Sequence, residues 1–170
     1  MSATQLGFVS ALGDIDTYAR DTLGSIRYDA NGVSKYVQFG ASRTGQVSGQ
    51  LVVGDVVCYV VGTTADLDLL TLVDEPNSSV GAGVVWGYST DVTGTTVKVA
   101  TTGGPYYGWI KIKGAVTLSN AAGGSAAAGN ALTTSSASAK TVTKRANEAD
   151  QTVGVLVDAT NFVAQIDFYN

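Results

Sequence analysis

Apolar positions recur along this chain in short runs spaced two apart, and helical spacing is almost absent. Only the opening, up to about Arg20, departs from that pattern. There Leu6, Val9, Ile15 and Tyr18 fall at irregular intervals, which suits a short helix or an extended arm equally. After Leu23 and Gly24 the pattern predicts strands throughout. Residues 25–28 and 33–39 flank Asp29-Ala30-Asn31-Gly32, and Asn-Gly accepts the positive φ that a tight hairpin turn requires. In the second of these strands Tyr36 and Val37 point to opposite faces. One side of the hairpin is therefore expected to be covered by something other than the core.

Residues 51–61 read as two buried strand pieces interrupted by Gly54-Asp55. Residues 66–73 alternate imperfectly and fit a strand or one helical turn, and residues 74–78 are a turn by composition. A strand is predicted over 82–88, a turn at Thr93-Gly94, and a further strand over 95–100. Gly103-Gly104-Pro105 then punctuates before a strand over 106–114, in which Trp109, Lys111 and Lys113 are assigned to one face and Ile110 and Ile112 to the other. Residues 115–118 follow as a separate piece. The run 119–139 contains Ala, Gly, Ser, Thr and Asn with Leu132 alone, which predicts loops around a short strand at 131–133. Strands over 141–144, 152–157 and 162–169 complete the pattern, the last with Phe162, Ala164, Ile166 and Phe168 on one face.

About ten short strands with a turn every 8–12 residues is the pattern of a small all-β sandwich or barrel. No repeat of 20–50 residues is visible, which argues against a propeller or solenoid. The organisation expected is an extended N-terminal arm, residues 1–22, and a single β domain of antiparallel strands, residues 23–170.

Composition narrows the function. Charged residues make up 14% of the chain, against about 25% in ordinary soluble domains. There is no histidine, which excludes Ser-His-Asp and Cys-His catalysis and His-ligated zinc, haem or iron. One cysteine, Cys58, excludes Cys-rich metal sites and intrachain disulfides. It lies in an apolar run and is expected to be buried and inert, in a chain made in a reducing compartment. A net charge of -4 argues against a nucleic-acid partner, and Lys144-Arg145 is the only adjacent basic pair. No apolar stretch approaches the ~18 residues of a membrane span. The opening has no basic residue ahead of its short apolar part, so it is expected to be a poor signal peptide.

Carboxylates are the acid/base groups left. Asp14 with Asp16, and Asp66 with Asp68, lie two apart and share a face if the segment is a strand. Such pairs serve glycoside hydrolysis or oxygen ligation of calcium. Solvated faces or turns account for them more simply, and the D-x-D-x-D-G calcium loop is absent. Asp21, Asp29 and Asp55 lie beside turn signals and read as turn caps. No phosphate-binding glycine loop is present. Tyr106, Tyr107 and Trp109 stand together after Gly-Gly-Pro, where they can stack on sugars, fill the core or anchor a protein interface. No catalytic residue, cofactor or metal is expected.

Four short elements carry a resemblance. They are Val52-Val53-Gly54-Asp55-Val56-Val57, Tyr107-Gly108-Trp109-Ile110 with Gly114, residues 126–132 (Ala126-Ala127-Ala128-Gly129-Asn130-Ala131-Leu132), and Val153-Gly154-Val155-Leu156. From about Leu23 to Phe168 the chain resembles the head-decoration (capsid cement) proteins of tailed phages; residues 1–22 have no counterpart. The resemblance implies a small all-β protein, often a homotrimer, carried on the capsid exterior of the virion and assembled in the host cytoplasm. Such a protein cements neighbouring subunits of the major capsid protein and is not an enzyme. Leu6, Phe8, Val9, Tyr18, Tyr106, Tyr107 and Trp109 are the contact residues expected on this basis. Removing residues 1–20 is then expected to weaken attachment and leave the β domain folded. The alternatives are another virion part, such as a head-fibre base, minor capsid subunit or tail component, and a carbohydrate-binding or glycosidase-like β-sandwich using Asp66, Asp68, Trp86 and Trp109.

Overall fold

A computed structural model describes residues 10–39, 51–59, 71–73, 81–86, 106–120, 125–135, 140–148 and 150–168. Every regular element among the described residues is a β-strand. They are β1 (Ile15–Asp16), β2 (Ile26–Asp29), β3 (Gly32–Phe39), β4 (Val56–Tyr59), β5 (Thr71–Val73), β6 (Gly81–Val85), β7 (Tyr106–Thr117), β8 (Ala131–Thr134), β9 (Val142–Lys144), β10 (Gly154–Asp158) and β11 (Val163–Asp167). The all-β expectation holds. The expected turn at 93–94 and strand at 95–100 lie outside the described residues, as does all of 66–73 except β5.

The strands form one sheet in the order β2-β3-β5-β4-β6-β7-β11-β10-β8-β9, with β1 paired to β7. Pairing is antiparallel except between β3 and β5. An additional β3–β7 pairing makes a circuit of β3, β5, β4, β6 and β7. β2 and β9 remain at the ends of the order, so the sheet as a whole does not close. The Asn31-Gly32 turn works as expected: β2 and β3 form a hairpin with Asp29 opposite Gly32.

Two apolar cores result. One contains Val37, Phe39, Val57, Val85 and Ile110; the other contains Val56, Val84, Leu132, Leu156 and Ile166. Successive valines of β4 and β6 feed opposite cores, as period-two geometry requires. All five residues of β6 are consequently buried, which is why its sequence reads as a continuous apolar run rather than an alternation. Cys58, in the same wall, is buried.

The turn before β4 ties these layers together. Asp55 is buried; its carboxylate accepts from the Val52 N–H at 2.9 Å and from the Ser119 hydroxyl. The flanking backbone joins β6 and the end of β7: Gly54 N–H donates to Val85 O, and Ser119 N–H to Gly54 O, both at 3.0 Å. Burial pushes the Asp55 carboxyl above its ordinary value, against the two hydrogen bonds that favour its charge. A raised carboxyl pKa means the folded state holds the proton more tightly than the unfolded state. Stability from this group therefore falls as pH rises from the ordinary carboxylate value through the raised one. Asp55→Ala strands the Val52 N–H and is expected to cost about 2 kcal/mol. Asp55→Asn keeps an acceptor for Val52 and is expected to stay within about 1 kcal/mol of the parent, improving relative to it as pH rises across that window. Urea unfolding of both variants between acid and neutral pH checks this.

Of the two forms expected for the N-terminal segment, its described part, residues 10–22, takes the extended one and lies on the sheet. β1 pairs with β7, Ile15 opposite Gly108, and Ile15 packs against the first core. Arg20 N–H donates to the Tyr36 hydroxyl at 3.1 Å. This segment is the cover that the opposed faces of Tyr36 and Val37 call for; both side chains are fully buried.

β7 also runs longer than expected, continuing through Gly114 to Thr117 as one strand of 12 residues. Its register against β3 shifts between Val33 and Ser34, opposite Lys113 and Lys111. Residues 109–112 are buried on both faces, and Lys111 joins them while Lys113 stays exposed.

Candidate functional site

Of the residues expected to make contacts, Tyr18, Tyr106, Tyr107 and Trp109 are among the described residues. Leu6, Phe8 and Val9 lie outside the described residues. Tyr18 is 60% exposed, with the Arg20 guanidinium 5.3 Å from its ring centre; Arg20 in turn sits 3.0 Å from Asp16 as an ion pair. Tyr106 and Tyr107 are half-buried at the start of β7, opposite Phe39 and Gln38.

Trp109 is a correction. It has no exposed surface. Its ring meets Tyr36 edge-on at 5.2 Å and 61°, and its indole N–H donates to Ser10 Oγ at 2.9 Å. The Ser10 hydroxyl donates onward to the Asp21 carboxylate, which also accepts the Ser10 N–H at 3.1 Å. Trp109 is thus a core residue sealed by residues 10–21 and cannot anchor a partner from the surface. Of the carbohydrate-binding set, Trp86 is half-buried. Trp109 is buried, and Asp66 and Asp68 lie outside the described residues.

Of the carboxylates expected to cap turns, Asp29 accepts from Asn31 N–H at 2.7 Å and Asp55 from Val52 N–H at 2.9 Å, whereas Asp21 accepts from Ser10, distant in sequence. Asp14, of the paired carboxylates, accepts from Ala11 N–H at 2.9 Å. Among the described residues no three His, Cys, Asp or Glu side chains are grouped as metal ligands.

Two features were missed by reading the sequence. The first is the outward face of β10, β11 and β7. In register, Leu156, Ala164 and Val116 form a buried row, and Val155, Gln165 and Ala115 form the exposed row beside it. Val157, 57% exposed, and Thr117 extend this face. It carries one ion pair, Lys113 to Asp167 at 2.8 Å, and is otherwise uncharged over these rows. The sequence predicts a strand over 152–157, but not that its solvent side is valine.

The second feature is a cavity of about 780 Å³ between the β2–β3 turn and this face, lined in part by Tyr28, Asn31, Trp86, Lys111 and Gln165. The Lys111 ammonium lies 3.9 Å from the centre of the Trp86 ring. Burial lowers the Lys111 pKa from its ordinary value, an effect only partly offset by the charge of Asp29.

Compared with known protein families, curated proteins and solved structures, the chain matches none.

Proposed function

We propose that this protein is a non-enzymatic capsid decoration protein. It would bind the outer face of a phage head as a homotrimer and bridge neighbouring major capsid protein subunits. The observation that carries this best is the charge-poor outward face of β10, β11 and β7, with Val155 and Val157 exposed beside Gln165, Ala115 and Thr117. A charge-poor sheet face suits close packing against another protein surface, since charged residues are depleted at interface cores. Repetition over a shell lets many weak contacts of this kind act with avidity beyond any single one. The low overall charge and the short motifs shared with decoration proteins point the same way.

The test is rebinding of purified protein to heads that lack it. Val155→Lys together with Val157→Lys is expected to abolish most head occupancy in a cosedimentation assay. The cost to the fold is expected to be only about 1 kcal/mol, because both side chains face solvent. Occupancy equal to the parent's would remove this face from the account. Association confined to tails would favour a different virion part.

The packing of residues 10–22 also changes the truncation experiment. Removing residues 1–20 takes away Ser10 and uncovers Tyr36 and Trp109, so the β domain itself is expected to lose stability. Removing residues 1–9 instead leaves Ser10, Ile15 and Arg20 in place against the sheet, and comparing the head occupancy of the two truncations reads any role of the N-terminus in attachment.

A further inference from the structure

Lys111 is 2% exposed, yet it forms no ion pair among the described residues. Its stem runs past Gly32 and Gly114, where a Cβ on either residue would come within 3.1 Å of Lys111 Cε. Both glycines have φ in the left-handed region, +137° and +123°, so the chain leaves this slot open at two constrained positions. Of the three N–H groups of the ammonium, one donates to Ala115 O at 3.1 Å. The Trp86 ring lies against the cation but accepts no conventional hydrogen bond.

The neighbouring charges compensate it only in part. Lys113 is paired with Asp167 at the surface, and Asp29 holds the hairpin turn through Asn31 N–H. A buried cation without a paired carboxylate is costly, and Ala115 O takes only one of its three donors. The cavity thus presents one ammonium without an ion pair, one indole, the apolar side chains of Val33 and Ala115, and the Gln165 amide, with the Asp29 carboxylate on the same lining.

We propose that the Lys111 cavity is a binding site for a monocarboxylate with an apolar body. The carboxylate takes the remaining N–H groups of Lys111, and the apolar part rests against Trp86 and Val33. A single negative charge matches a single unpaired ammonium. A doubly charged phosphate would instead face the Asp29 carboxylate on the same wall. This site does not rest on the capsid-binding account, and its test uses the isolated protein.

The carboxylate can come from a free small acid or from an acidic side chain of another protein, so two matched probe pairs are titrated by calorimetry. The first pair is 3-phenylpropionate and 3-phenylpropanamide; the second is acetyl-Gly-Glu-Gly-amide and its Gln counterpart. Binding of at least one acid about tenfold or more tighter than its amide is expected, the scale of a hydrogen bond to a charged group. Lys111→Met is expected to remove that preference. Preference in the first pair identifies a small-molecule site, and preference confined to the second identifies a site for a partner's acidic residue. Acids and amides binding alike, no binding by either acid, or an acid preference that survives in Lys111→Met would overturn the proposal. Should Lys111→Met not fold, the acid-to-amide ratio in the unaltered protein decides by itself.

Discussion

Trp109→Ala is expected to destabilise the protein by about 3–5 kcal/mol, the range for removing a large aromatic side chain from a packed interior. Three contacts go together. The ring loses Tyr36, Ser10 Oγ loses its donor, and residues 10–21 lose the surface they cover. Trp109→Phe retains most of the ring packing and drops the N–H, so about 1–2 kcal/mol is expected there. Denaturant unfolding with both variants separates packing from the hydrogen bond. The measurement also bears on the corrected role of this residue. If Trp109→Ala left stability within about 1 kcal/mol of the parent, a buried core position would be the wrong assignment.

Gly32→Ala is the second large effect, about 2–4 kcal/mol by strain and overpacking together. An alanine Cβ would lie 2.0 Å from Lys113 O. That oxygen belongs to the backbone of β7, opposite the end of β3, so it cannot swing aside as a side-chain tip could. The residue also holds φ at +137°, which an L side chain rarely adopts. The predicted Asn-Gly hairpin explains only part of this requirement: the close approach to β7 comes from tertiary structure. Thermal unfolding of Gly32→Ala checks the magnitude. A midpoint equal to the parent's would show that the hairpin and β7 separate easily at this point.

That contrast marks what the sequence made legible. Hairpin β2–β3, the short strand at Ala131 within a run of small residues, and the inward face of β11 were all readable, because each depends on local turn chemistry or period-two alternation. Features that depend on a second layer were not. Trp109, Tyr36 and Lys111 all sit where alternation assigns one face to solvent. Trp109 and Tyr36 are buried because residues 10–21 fold back over them, and Lys111 because the β2–β3 turn and Trp86 close over its stem. The opposed faces of Tyr36 and Val37 were the one sign of such a cover, and they could not say which segment supplies it.

The same layering refines the meaning of the low charge. Part of it reflects internal economy, since β4, β6 and the middle of β7 are buried on both faces and have little place for charge. Among the described residues charge is also sparse on the outward rows of β10, β11 and β7, where solvent alone would tolerate charged side chains freely. Those rows are the surface on which the decoration account depends.

Quantitative mass spectrometry of purified virions, with heads and tails separated, tests that account most directly. The expected result is this protein on heads, at a copy number comparable to that of the major capsid protein. Its absence from mature particles, or its presence only in tails or at a few copies per particle, would contradict it.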